Sequence, residues 1–172
     1  MTARWLLSGV GGALLLGGCA ARPTTTAQIT GTSPSSKLSG RAVFAQAANG
    51  VHVIVTIANA PPGKHGVHIH EHGNCGDAGK AAGGHFNPDH VPHGFLPKDG
   101  LAKAHAGDFG NIEIGPNGSG RLELILPGLT LTESTKYNIG GHAIIIHEKA
   151  DDFGQPTGNA GGRIGCGVVP PQ

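Results

Sequence analysis

The sequence predicts an all-β domain, an antiparallel sandwich or closed barrel that carries long loops. Apolar and polar residues alternate in short runs such as "VHVIVTIAN" and "RLELIL", the period of a strand with one buried face. Asn-Gly pairs punctuate these runs, and such a pair is the strongest short hairpin signal. Glycine is abundant (31 of 172 residues), the charged fraction is 13%, and no segment repeats apolar residues at helical spacing. One domain fits this length; two do not.

The opening "MTARWLLSGVGGALLLGGCA" reads as an export signal, with Arg4 as its positive start and Trp5 to Leu16 as a short apolar stretch. It is too short to read as a membrane span. Residues 1–18 are therefore expected to be a signal peptide. Cys19 follows Leu16-Gly17-Gly18, the pattern of a bacterial lipoprotein box in which that cysteine is lipidated. Residues 19–37 are expected to form the anchor and tether, because Ala21 to Ser36 is rich in Thr, Ser and Pro. The folded domain is then 38–172, in the periplasm or cell envelope and held to a membrane by lipid. The formal charge of +1 falls to zero once Arg4 is removed, which gives no support for nucleic-acid binding.

From about Lys37 the strands begin. "GRAVFAQ" and "VHVIVTIAN" flank Ala47-Ala48-Asn49-Gly50, and Val51, Val53, Val55 and Ile57 share the face expected to be core. "NIEIGPNGSGRLELIL" repeats the design around Asn117-Gly118, and "HAIIIHE" is expected to be the final apolar strand. Two long Gly/Pro-rich loops intervene, Gly73 to Phe109 and Lys149 to Gly162. Loops of that length in a compact domain are usually functional. With Cys19 assigned to lipid, Cys75 and Cys166 are an even pair in an oxidising compartment and are expected to bridge. Closing a loop of about 90 residues stabilises by roughly 4–5 kcal/mol in the chain-entropy model.

Histidine is the compositional outlier, with eleven copies against one Trp, one Tyr and one Met. "GVHIHEHGNC" sets His68 and His70 two apart, so on a strand both imidazoles face one point, an arrangement that suits copper, zinc, iron or nickel about equally. The first long loop adds "GGHFNPDHVPHG" and "KAHAGDFGN". Its His85, His93, His105 and Asp108 make a set of three imidazoles and a carboxylate that suits tetrahedral zinc. A loop this poor in apolar residues would gain its order from the bound ion.

Taken in order, "GVHIHEHGNC", "GGHFNP", "HAGDFGNI", "IIIHEKADDFG" and "GNAGGRIGCGVV" closely resemble the copper/zinc superoxide dismutase family, over about 135 residues from Leu38 to Val169. The resemblance implies a Greek-key antiparallel β-sandwich, or flattened barrel, with two functional loops. It implies dismutation of superoxide to oxygen and hydrogen peroxide, with copper and zinc as cofactors and protection of the cell envelope as the role. Carried over residue by residue, it assigns His68, His70, His85 and His147 to copper, and His85, His93, His105 and Asp108 to zinc. His85 would bridge the two ions and carry a proton. Arg163 matches the active-site arginine that docks the anion, and Cys75–Cys166 the family's disulfide. Asp151 matches the carboxylate that hydrogen-bonds one copper histidine and one zinc histidine. A homodimer is compatible with the resemblance, since bacterial relatives occur as dimers and as monomers.

His52, His65, His72, His90 and His142 match no ligand position and are expected to be solvated, with His65 and His72 as candidates for a secondary metal-capture patch. The stretch from His147 to Arg163 is shorter than in the eukaryotic members and keeps, of their guiding charges, Lys149. Lys64 or Lys136 would then share in steering. A periplasmic protein that buffers or delivers copper or zinc is the alternative function; Arg163, Asp151 and the cysteine pair argue against it, because a buffer needs none of them.

Overall fold

A computed structural model describes residues 22–172. The expected signal peptide and Cys19 lie outside the described residues. Eight strands follow in chain order: β1 (Thr24–Gly31), β2 (Ser39–Ala47), β3 (Gly50–Ala58), β4 (Gly63–His70), β5 (Asp108–Ile114), β6 (Gly120–Pro127), β7 (Ala143–His147) and β8 (Arg163–Val168). They close into an antiparallel barrel in the order β1-β2-β3-β6-β5-β4-β7-β8. The β2–β3 hairpin turns where the Asn49-Gly50 signal puts it, with Ala47 paired to Gly50. The β3–β4 and β6–β7 links each pass over two strands to reach their partner's place, which interlocks the barrel in Greek-key fashion. Among the described residues the helical content is one turn, α1 (Leu96–Asp99), and a short 3₁₀ turn at Lys80–Ala82.

Alternation explains the core. Phe44, Val51, Val53, Val55, Ile69, Ile112, Leu126 and Ile144 are fully buried inside the barrel. Each contributes roughly 1.5–3 kcal/mol relative to an exposed side chain. Strand β4 is buried on both faces: Val67 and Ile69 enter the core while His68 and His70 face outward under the long loop. Strand β7 divides likewise, with Ile144 and Ile146 in the core and Ile145 outside it, packed with Ala82, Ala143, Cys166 and Cys75. The long loop is hooked onto β4 by backbone bonds: Ile69 N–H donates to Gly107 at 2.9 Å, Phe86 N–H to Ile69 at 2.8 Å and Glu71 N–H to Gly84 at 3.0 Å. A bulge interrupts the β4–β5 ladder between Gly66 and His68, and another the β7–β8 ladder between Ile146 and His147, both beside the histidines they aim.

Three sequence expectations need correction. The stretch expected to be a tether, 21–36, contains β1, which pairs with β2 along its whole length and with β8 at Thr30 and Gly31. Its inward side chains are Thr25, Ala27 and Ile29, all buried, so the alternation is present but written in small and polar residues. "HAIIIHE" is not the last strand, because "RIGCGV" forms β8. His65 is not solvated: it is 3% exposed, its Nδ1 lies 2.8 Å from the His147 carbonyl and its Nε2 2.9 Å from the Pro61 carbonyl.

The barrel closes through β1. A chain that starts at residue 37 would leave β2 and β8 as open edges. It is expected to lose its cooperative thermal transition by circular dichroism, whereas a chain starting at Arg22 keeps it. Equal melting of the two would show that β1 is dispensable.

Candidate metal centre

The row Asp108–His68–Ile145–Cys166 runs across the outer face of β5, β4, β7 and β8, each residue the register partner of the next. The long loop covers this row and lowers His85 onto His70, with which it makes an isolated bridge. Two groups of potential ligands result. His68, His70, His85 and His147 form one, and His85, His93, His105 and Asp108 the other; within each group the ligand atoms lie within 4.8 Å of one another. All seven residues are buried, with Asp108 and His68 at 0% exposure.

Hydrogen bonds dictate which ring nitrogen faces each centre. His68 Nε2 bonds Asp151 Oδ2 at 2.8 Å, His70 Nδ1 the Gly83 carbonyl at 3.0 Å, and His147 Nδ1 the Gly161 carbonyl at 3.3 Å. That turns His68 Nδ1, His70 Nε2 and His147 Nε2 to one point, and the last two stand 3.3 Å apart. In the second group His85 Nδ1 lies 2.9 Å from Asp108 Oδ1 and 3.3 Å from His105 Nδ1. His93 gives its Nε2 to Asp151 and sets its Nδ1 2.9 Å from Asp108 Oδ2. His85 thus belongs to both groups, its ring centroid 4.0 Å from that of His68 and 5.4 Å from that of His105.

One buried side-chain nitrogen of the first group, His68 Nδ1, has no hydrogen-bond partner among the described residues, and in the second group His93 Nδ1 meets only the Asp108 carboxylate. A buried polar atom left unpaired costs about 1–3 kcal/mol, and a cation at the first centre removes that cost. The residues present therefore fit a pair of metal ions held by nitrogen and one carboxylate, which selects borderline ions such as copper and zinc.

Protonation differs between the groups. Burial pulls His70 down to about 2 and His147 to about 3, and it pulls His85 to about 4 against the hydrogen bond His85 makes to Asp108. These imidazoles are neutral at pH 7, the form that binds metal. Burial also lowers His68, although Asp151 opposes it. For His93 burial acts downward too, but its bonds to Asp108 and Asp151 prevail and raise it to about 9. Both carboxylates stay ionised: burial would raise Asp108 and Asp151, but the imidazoles hydrogen-bonded to each hold them well below the usual range.

The surroundings fix this arrangement. Asp151 spans from His68 to His93, accepts from the Phe153 N–H at 2.8 Å, and is bracketed by Asn111, which accepts from its N–H at 2.7 Å and donates to its carbonyl at 2.9 Å. Gly158, at φ 75°, leaves the room: a Cβ there would stand 1.9 Å from Asp151 Oδ1. Arg163 donates from Nη1 to the Gly79 carbonyl at 2.5 Å and from Nη2 to the Gly83 carbonyl at 2.6 Å. Cys75 and Cys166 are bridged, which ties the loop carrying those carbonyls to β8. The two groups differ in access. His70, His85, His147 and Arg163 line an open cavity of about 190 Å³, rimmed by Thr157, Asn159 and Gly161, whereas His93, His105 and Asp108 do not reach it.

Of the residues expected from the sequence, the structure brings His68, His70, His85, His93, His105, Asp108, His147, Asp151 and Arg163 together. Missed were Asn111, Gly158 and the carbonyls of Gly79 and Gly83. No side-chain chemistry marks a carbonyl in a sequence, and glycine was too common to stand out.

Comparison with known proteins agrees. The family model described as copper/zinc superoxide dismutase matches residues 38–169. The chain is 36% identical over 146 residues to an extracellular Cu-Zn superoxide dismutase of Drosophila melanogaster, covering 80% of this chain and 78% of that one. It is 40% identical over 136 residues to a Cu-Zn superoxide dismutase of Aquifex aeolicus, covering 76% and 79%. Among solved structures, a SOD-like protein from Bacillus subtilis matches with a TM-score of 0.73 at 33% identity, over 84% of this chain and 97% of that one. A double array of buried imidazoles on the outside of a Greek-key barrel, together with these likenesses, makes the chain a member of the copper/zinc superoxide dismutase family, which uses copper and zinc.

Proposed function

We propose that the protein is an exported superoxide dismutase that converts two superoxide anions and two protons to oxygen and hydrogen peroxide. The observation that carries this reading is the asymmetry of access around a shared imidazole: His85 joins both ligand groups, and one of the groups opens to solvent beside an arginine. Closed sites suit structural metals and open ones catalysis. Accordingly His68, His70, His85 and His147 are assigned to copper, and His85, His93, His105 and Asp108 to zinc. Copper held by the open group would supply the one-electron redox chemistry that dismutation needs.

The chain's own residues do the rest. Arg163, held by two carbonyls, presents a fixed positive charge to a small anion that offers no shape to recognise. His85 turns its Nδ1 toward Asp108 and His105, so its Nε2 is the atom toward the open group and can hold a proton within reach of the bound anion. Asp151 orients His68 and His93 at once, which keeps the two groups in register. Export is supported by the bridged cysteines and by relatives named as extracellular. The leader 1–18, lipid on Cys19, a periplasmic or envelope location and protection of that compartment belong to the same proposal.

The test is superoxide removal by protein loaded with copper and zinc. Arg163→Ala is expected to retain both ions yet lose roughly tenfold or more in rate at low ionic strength, with a weaker salt dependence. Two ions bound without turnover would favour the buffering reading instead. Zinc uptake supplies a second measurement. His93 is raised above its ordinary value, so it is protonated at pH 7 and ligation must expel that proton. Zinc affinity of the metal-free protein is expected to rise about tenfold per unit between pH 6 and 8, with ~1 proton released per ion, read by calorimetry in buffers of different ionisation enthalpy. Heats independent of buffer would contradict the assignment of His93.

A further inference from the structure

Of the eleven histidines, the two buried groups use His68, His70, His85, His93, His105 and His147. His65 is spent on two carbonyls, and His52 pairs with Glu123 at 2.8 Å. The remaining three, His72, His90 and His142, come from three separate segments of the chain. All three line one surface cavity of about 310 Å³, together with Glu71 and Phe86.

Each is placed by its own local device. His142 turns Nδ1 to the His70 carbonyl at 3.1 Å and lies against the Phe86 ring with centroids 4.2 Å apart, which leaves Nε2 as its available atom. His72 follows the end of β4, its N–H donating to Ala82 at 2.9 Å. The point where a Cβ on Gly83 would stand is 3.2 Å from His72 Nε2 and 2.6 Å from Glu71 Oε2, so the two side chains converge over that glycine. Glu71 Oε2 accepts from the Gly84 N–H at 2.9 Å, and its other oxygen makes no hydrogen bond among the described residues. His90 sits at φ 54°, a conformation that non-glycine residues seldom adopt. Asn87 secures the turn around it by donating to the Val91 carbonyl at 2.9 Å and accepting from its N–H at 3.2 Å.

We propose that His72, His90 and His142, with Glu71, form a third, open site for a borderline divalent ion, Zn(II) or Cu(II). Three imidazoles and a carboxylate are the same donor chemistry as in the buried group of His85, His93, His105 and Asp108. The difference is preorganisation. The buried groups already bring their ligand atoms within 4.8 Å, whereas this set is not among the groups that do. Exposed His72 and His90 close on the ion by side-chain rotation, which is fast and carries an ordering cost. The site is therefore weaker than the other two and exchanges its ion readily. It does not depend on the catalytic reading, since none of its four side chains is assigned to copper or zinc there.

The experiment starts from the full protein with both buried groups filled and weakly held metal removed. Zn(II) is then titrated by calorimetry into this holoprotein, and sub-stoichiometric Cu(II) is added to a second sample observed by NMR. One further equivalent of zinc is expected, with paramagnetic broadening confined to the His72, His90 and His142 imidazole signals. The variant His72→Ala/His90→Ala changes two exposed side chains; it should keep the two buried ions and weaken the third by at least about tenfold. His52→Ala, at the other surface histidine, should leave it unchanged. A holoprotein that takes up no further zinc overturns the proposal. So does a third equivalent that the double variant binds as well as the unsubstituted protein, or broadening centred on His52.

Discussion

Six imidazoles packed under one loop would repel one another whenever they gained protons, and they would leave many polar atoms without partners. The two carboxylates among them, Asp108 and Asp151, resolve this. Asp108 lies within 3.1 Å of His85, His93 and His105, and Asp151 within 2.9 Å of His68 and His93. A buried ionised carboxylate is costly unless paired and hydrogen-bonded. Here each takes bonds from rings and from backbone: Asp108 Oδ2 also accepts from the Gly94 and His105 N–H groups, both at 2.9 Å. Placement of the rings, the nitrogen each turns to its centre, and the neutral state of the open group follow from these two anions and from the desolvation around them.

The loop that carries His85 and His93 has little apolar content, so its position is set by anchors. One carbonyl does double duty: Gly83 accepts from His70 Nδ1 and from Arg163 Nη2. The orientation of one histidine of the open group and the aim of the arginine are thereby coupled through a single peptide. The Cys75–Cys166 bridge holds the same loop against β8, three residues beyond Arg163. Its contribution of about 4–5 kcal/mol on a loop of roughly 90 residues acts on the unfolded chain. In the folded protein its effect is positional, keeping the carbonyls of Gly79 and Gly83 within reach of the guanidinium.

The sequence made the β2–β3 hairpin legible through Asn49-Gly50 and the double use of β4 through strict alternation, because both signals are local. The ligand pair on β4 needed only that alternation. The rest of the site is assembled from residues far apart in sequence, 83 positions for His68 and Asp151 and 84 for Gly79 and Arg163, and family resemblance rather than periodicity supplied Asp151, Arg163 and the shared use of His85. Strand β1 was illegible because its inward face is Thr25, Ala27 and Ile29, a composition shared with flexible linkers. Strand β8 hid behind glycines: Gly165 and Gly167 lie close to Ile146 and to the Gln28 carbonyl, where a Cβ would stand 3.3 Å and 2.3 Å away. His65 was misjudged because one of the two carbonyls that hold it, that of His147, is 82 residues away.

Substrate attraction is the step where composition constrains mechanism most. A nearly neutral chain cannot draw superoxide in by net charge, so the local field at the mouth of the open group must do it. Lys136, one of the expected helpers, is committed elsewhere: it is ion-paired to Asp89, which also accepts from the Tyr137 hydroxyl at 2.6 Å. Lys64 stands six residues before His70 on β4, about 20 Å away along an extended strand. That is beyond the screening length of about 8 Å at physiological salt. Lys149 is better placed, its stem 3.3 Å from where a Cβ of Gly161 would stand, and Gly161 lines the cavity. Among the described residues, Arg163 is the one Lys or Arg side chain that lines it directly. On the proposed function, guidance falls to Arg163 with Lys149 at the rim, the two cations that stand within a screening length of the site they would serve.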